Sequence, residues 1–205
     1  MKRFLINLVS FLSFGLVIAQ STLSSNQVLS NALSQITESK GIEVQFNISN
    51  AGFVGNGKIL MSGSKYNVSL PDGEIWYNGK EMYTYNKNSG ETTLTIPSAE
   101  EISESNPLAY ITGAKNNYNV SYSTVKKAGR FVLELTPKSK QSEIKRITLT
   151  LKKTDYTPEK IVVEPKNGNP ITAEINSFRK LNTISPGAFE YPKSKYPKVE
   201  IVDLR

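Results

Sequence analysis

The stretch from Gly55 to Tyr85, GNGKILMSGSKYNVSLPDGEIWYNGKEMYTY, constrains the fold most. Four short apolar runs are separated by turn residues at Gly63-Ser64, Pro71-Asp72-Gly73 and Asn78-Gly79. An Asn-Gly pair between apolar runs is the strongest short-range hairpin signal, with both turn residues expected at positive φ. Within the runs the apolar positions alternate: Ile59 and Met61, then Tyr66, Val68 and Leu70, then Ile75 and Tyr77. Alternation with a period of two places one face of each strand in an apolar interior and the other in water. The stretch therefore reads as a curved antiparallel sheet with one apolar face.

The remainder of the chain extends that pattern. Ser24 to Lys40 reads as an amphipathic helix with a Ser24/Gln27 capping box, a stripe of Val28, Leu29, Ala32, Leu33 and Ile36, and Gly41 as the C′ residue. Ile42, Val44, Phe46 and Ile48 alternate with polar residues as a strand, and the glycines of residues 50–57 suggest a bulged hairpin. A strand over 91–96 follows. At Pro97 the period changes. Ser98 followed by Glu100 and Glu101 reads as an N-cap with acids in the first helical turn. A second short turn of helix is expected over 106–111, with Pro107 at its first position and a loop at 113–117. Strands are then expected over 120–125, 130–136, 143–152, 159–164 and 170–180, with an edge strand within 198–204. The total is about eleven or twelve strands and two or three short helices.

Residues 1–19 read as a secretory signal peptide. Lys2 and Arg3 precede an apolar stretch from Phe4 to Ile18, and cleavage is expected after Ala19. Residues 20–205 are then expected to form one exported, soluble domain, unlipidated because no Cys follows the cleavage site. The chain contains neither Cys nor His. Thiol nucleophiles, thiolate metal sites and the commonest general base are therefore absent, so the sequence reads as neither an enzyme nor a metal or cofactor protein. Carboxylates beside turns, Asp72, Glu74, Asp155 and Glu159, read as solvated surface. The net charge is +7, with lysine and arginine in pairs such as Lys126-Lys127 and Lys152-Lys153. These pairs read as a solvated face or as a contact for an acidic partner or anionic lipid. Export argues against nucleic acid.

One helix of about four turns and one short insert give thin cover for such a sheet. Pattern alone leaves two outcomes open, an apolar cavity under the helices or a filled core.

Several stretches, in order, resemble the LolA-like family of periplasmic carriers of outer-membrane lipoproteins. They are GNGKILM at 55–61, NGKEMYTYN at 78–86, Asn106-Pro107-Leu108, Thr136-Pro137-Lys138 with the strand after it, and Phe189 to Pro192 with Val199 to Asp203. The resemblance implies a mainly β (α+β) fold. An antiparallel half-barrel of about eleven strands would carry a few helices as a lid over an apolar cavity that shields lipoprotein acyl chains in transit. It also implies a monomer with three kinds of partner: acylated lipoproteins or lipids, an inner-membrane lipoprotein-releasing transporter, and an outer-membrane acceptor. On that reading Val44, Phe46, Ile59, Met61, Tyr66, Val68, Leu70, Phe131, Leu133, Leu135, Ile147 and Leu149 are the candidate cavity lining, each equally able to be plain core. The family commonly carries an Arg-Pro pair after its second strand, and that arginine tethers the lid; the matching positions here are Gly63-Ser64. A LolA-like sensor or adaptor, or a structural β-domain, remains as the alternative.

Overall fold

The computed structural model describes residues 23–205; the expected signal peptide lies outside the described residues. The elements, in chain order, begin with α1 (Ser25–Thr37), β1 (Gly41–Asn50), β2 (Phe53–Ser62), β3 (Lys65–Leu70), β4 (Gly73–Tyr77), β5 (Met82–Asn86) and β6 (Glu91–Thr95). A helical insert follows: α2 (Ala99–Ser105), α3 (Ala109–Thr112) and α4 (Ala114–Asn117). The second half is β7 (Tyr118–Tyr122), β8 (Arg130–Pro137), β9 (Ile144–Lys152), β10 (Pro158–Pro165), β11 (Ile171–Leu181) and β12 (Ile201–Asp203).

All strands join one open sheet in the order β12-β6-β5-β4-β3-β2-β1-β11-β10-β9-β8-β7. Every neighbouring pair is antiparallel except β12, which adds in parallel to β6. The expected half-barrel of about eleven strands is thus a twelve-stranded open sheet. Its registers sort the connections into two ends. The upper end carries 51–52, 71–72, 87–90, 138–143 and 166–170. The lower end carries 63–64, 78–81, 123–129 and 153–157. Strands far apart in the sheet send side chains into one core. Tyr77 and Met82 on one half share a buried cluster with Leu133 and Leu149 on the other, so the sheet curls around its apolar face.

Local chemistry explains most elements. Ser24 Oγ accepts from Gln27 N at 3.2 Å while Gln27 Oε1 accepts from Ser24 N, which starts α1 as expected. Val28, Leu29, Ala32 and Ile36 are its buried face. The same reciprocal cap, Ser98 with Glu101, starts α2. At Gly63-Ser64 the first turn residue has φ +57 and the second is not at positive φ, the pattern of a II′ hairpin.

Several expectations are corrected. Gly41 is not the C′ residue of α1: the helix ends at Thr37, and Gly41 already pairs with Leu181 as part of β1. The β1–β2 hairpin has unbroken register; the bulge lies on the other side of β1, at Asn176 of β11. In the Asn78-Gly79 turn only Gly79 has positive φ. Asn78 Oδ1 instead accepts from Lys80 N and Glu81 N, an Asx turn closing a four-residue loop. Pro107 precedes the N-cap of α3, and 114–117 is helical rather than loop. The strand expected over 120–125 runs instead over Tyr118–Tyr122.

Candidate functional site

The sequence pointed to the inner face of the sheet, and the structure brings ten of the twelve candidates together there. Val44, Phe46, Ile59, Met61, Tyr66, Val68, Leu133, Leu135, Ile147 and Leu149 are all buried in one continuous cluster with α1 and α3. Leu70 and Phe131 are only partly buried and pack at its margin. Leu70 lies by a polar crevice at the upper end, and Phe131 faces a groove at the lower end.

Open space beside this core lies where α2 and α3 approach the upper ends of β10 and β11. Two contiguous cavities of about 530 and 200 Å³ share Ser103, Glu104, Tyr110, Val163 and Ile171. The larger alone falls within the roughly 300–1,000 Å³ of small-molecule sites. Its apolar wall includes Ile144 and Val163, and the smaller cavity adds Ile48, Pro107 and Ile161. Sequence reading missed Tyr110, Ile161 and Val163. A partial signal was present, since Ile161 and Val163 lie two apart in the apolar run Ile161-Val162-Val163 and Tyr110-Ile111 is an apolar pair inside the insert.

The helices over this cleft are held unequally. α3 buries Ala109, Tyr110 and Ile111, whereas α2 fully buries none of its side chains and packs on the core only through the partly buried Ile102. Polar contacts fix the C-terminal end of α2 to the sheet. Ser105 Oγ donates to Ile102 O at 3.1 Å and is hydrogen-bonded to the Tyr66 hydroxyl at 2.6 Å, which also contacts Met82 Sδ at 3.7 Å. Asn106, itself buried, sends Nδ2 to Met61 Sδ at 3.7 Å while its Oδ1 accepts from Leu108 N. Gly63 takes no part: it sits in its hairpin turn with no atom within 4 Å of where a Cβ would lie. The tether occupies β2 and β3 through Met61 and Tyr66 rather than the turn between them.

Burial pushes the phenols of Tyr66 and Tyr110 up to about 12. For Tyr110, Tyr118, Glu104 and Glu100 add to that rise. In the unfolded chain both titrate near the ordinary value of 10. A raised folded-state value means that the fold favours the neutral phenol. The stabilisation is fully present below pH 10 and is lost as pH climbs through about 12. Denaturant melts followed by circular dichroism are therefore expected to give a midpoint that falls over that window. Tyr66→Phe and Tyr110→Phe should each flatten the fall, and a flat wild-type profile would contradict it.

Of the carboxylates beside turns, Asp72 is exposed surface as expected, and the other three are taken up structurally. Glu74 meets Lys195 at 3.0 Å, Asp155 caps Thr157 N at 3.0 Å, and Glu159 pairs with Arg130.

An open curved sheet with a helical lid over an apolar face is the architecture that the sequence motifs implied. The family described as "Outer membrane lipoprotein carrier protein LolA" matches residues 16–167, about three quarters of the chain. The chain belongs to the LolA family. No curated protein sequence matches it. Among solved structures, it is similar to an uncharacterized conserved protein from Thermus thermophilus at 11% identity, covering 87% of this chain and 98% of that one with a TM-score of 0.58. It is also similar to a LolA superfamily protein from Nitrosomonas europaea at 11% identity, covering 83% and 99% with a TM-score of 0.45. The LolA family is a binding and carrier family, and among the described residues no helix is long and apolar enough to cross a membrane.

Proposed function

We propose that this LolA-family chain is a periplasmic carrier that takes the acyl chains of lipoproteins, or of a lipid, beneath α2–α4 and conveys them from the inner to the outer membrane. The observation that carries this reading is the contrast within the lid. α2 roofs an apolar cleft yet fully buries none of its own side chains, Ile102 alone packing partly against the core, and the polar contacts at its far end are a hydroxyl pair and an amide–thioether contact. Moving such a lid exposes little apolar surface of its own while opening a way from the cleft toward Val44, Ile59, Tyr66, Leu133 and Leu149. Each methylene then buried contributes about 0.8 kcal/mol, enough for a multi-carbon chain to compete with a membrane. A carrier must also release, and a polar latch breaks more readily than a packed interface. The inner-membrane releasing transporter and outer-membrane acceptor enter as the donor and recipient that such transit requires.

The test couples occupancy to the latch. Protein recovered from its native envelope is expected to carry a lipoprotein or phospholipid adduct in native mass spectra and to bind a fluorescent fatty acid. Tyr66→Phe removes the hydroxyl's contacts with Ser105 Oγ and Met82 Sδ, the first worth about 0.5–1.5 kcal/mol. It should speed both uptake and release and raise amide exchange over 102–108 by roughly 2- to 12-fold. Bare protein that also ignores the fatty acid would exclude the carrier reading.

A further inference from the structure

At the lower end, away from the α2 cleft, the connection between β7 and β8 forms a second opening. A groove of about 750 Å³ has Leu23, Phe131 and Val132 among its apolar lining, and Tyr122 stands at its side. Val125 is 58% and Tyr122 44% exposed. The same groove is lined by Lys126, Lys127, Arg130 and Lys153. Arg130 is held by Glu159. Lys126, Lys127 and Lys153 are exposed, and none makes an ion pair among the described residues. Lys153 lies 5.4 Å over the Phe131 ring. Nearby acids do not neutralise the patch. Glu134 accepts from Ser123 Oγ at 2.7 Å, Asp155 is engaged with Thr157, and Glu174, which feels Lys127, is already paired with Lys160 at 2.8 Å.

Unpaired lysines alone are a solvated face, and two exposed apolar side chains alone are ordinary surface. Here they share one rim. Val125 and the ring edge of Tyr122, whose hydroxyl donates to Leu23 O at 2.6 Å, stand among ammonium groups, which matches the boundary between anionic headgroups and acyl chains, where each side-chain type meets its complement. We infer that this groove docks the protein on a membrane bearing anionic lipids, with Val125 and Tyr122 entering the acyl boundary and Lys126, Lys127 and Lys153 meeting headgroup phosphates. The docking holds whether or not the α2 cleft takes acyl chains, because it uses the opposite end of the sheet.

The experiment is vesicle flotation of the purified protein with phosphatidylcholine alone and with phosphatidylcholine containing phosphatidylglycerol. The expected result is binding to the anionic vesicles at low salt that falls at high salt. Each lysine contributes a factor of about five, so Lys126→Gln with Lys127→Gln should weaken binding roughly 25-fold. The melting temperature and fatty-acid uptake of that variant should stay unchanged, since both side chains project from an exposed connection. Equal binding to neutral vesicles would point to the acyl cleft or the apolar segment at residues 4–18 and would overturn the inference. Insensitivity to the double substitution would do the same. Absence of binding to either vesicle would also overturn it.

Discussion

Leu149→Ala is expected to lower the free energy of unfolding by about 2–5 kcal/mol, among the largest effects of any single truncation in this chain. Leu149 sits in β9 directly opposite Leu133 of β8 and Ile161 of β10. All three are at most 1% exposed. The row is clamped by backbone ladders on both sides, so the strands cannot close over the missing atoms and an apolar void remains. At about 2–4 °C per kcal/mol for a chain of this size, the melting temperature should fall by roughly 4–20 °C. The same substitution separates the two roles that Leu149 could play. If the inner face receives acyl chains once the lid moves, the void adds room, and fatty-acid affinity holds or rises while stability drops. If affinity declines in step with stability, Leu149 is core alone. A stability loss below about 1 kcal/mol would mean that the row packs far less tightly than its burial indicates.

The second large effect lies on the opposite face. Residues 185–200 run back over the outside of β4–β6, where Tyr191 stacks on Tyr83 at 5.0 Å and on Tyr196 at 5.8 Å. Trp76, 4% exposed, meets Tyr191 and Tyr196 edge-on at 5.3 and 5.9 Å. Thr92 Oγ1 donates to Tyr191 Oη at 3.1 Å, and β12 then hydrogen-bonds along β6. Trp76→Ala removes the body around which this strap is wound, and should cost about 3–5 kcal/mol, part of it from aromatic pairs worth about 0.5–1.5 kcal/mol each beyond their buried area. The damage should be local. Limited trypsin digestion is expected to cut at Lys193, Lys195 and Lys198 well before any site in β8–β10, and to leave fatty-acid binding in place. Simultaneous loss of both faces would show that strap and inner core unfold as one unit.

The sequence resolved what is encoded over a few residues and left unresolved what is encoded across the fold. The capping box at Ser24, the N-cap at Ser98, most of the hairpins and the change of period at Pro97 are short-range signals, and each was legible; the reciprocal bond from Glu101 appears only in the structure. α4 was not, because Gly113 and the two asparagines of AKNN carry poor helix propensity; the turn exists because Ala114 is fully buried beneath its neighbours. The parallel pairing of β12 with β6 joins residues more than a hundred positions apart, and nothing in either segment names the other. In the candidate site, ten inward-facing residues followed from alternation. The lid tether did not: alternation marks Tyr66 as an apolar wall residue, while its hydroxyl partner Ser105 lies 39 positions away in an element with no pattern linking the two. The outward placement of Trp76, Tyr83 and Tyr85 was available from the same alternation, since Trp76 falls between Ile75 and Tyr77.

The position of Trp76 has a practical consequence. It is the only tryptophan in the chain, and the sheet itself separates its indole from the cleft and the inner core. Intrinsic fluorescence excited at the indole band should therefore be nearly silent when an acyl chain enters, and should change sharply when the C-terminal strap lifts. A titration that watched only that emission would miss occupancy altogether. The same optical blindness makes Trp76 a clean internal reporter of the strap, and a tryptophan introduced at Tyr110 would supply the missing channel for the cleft.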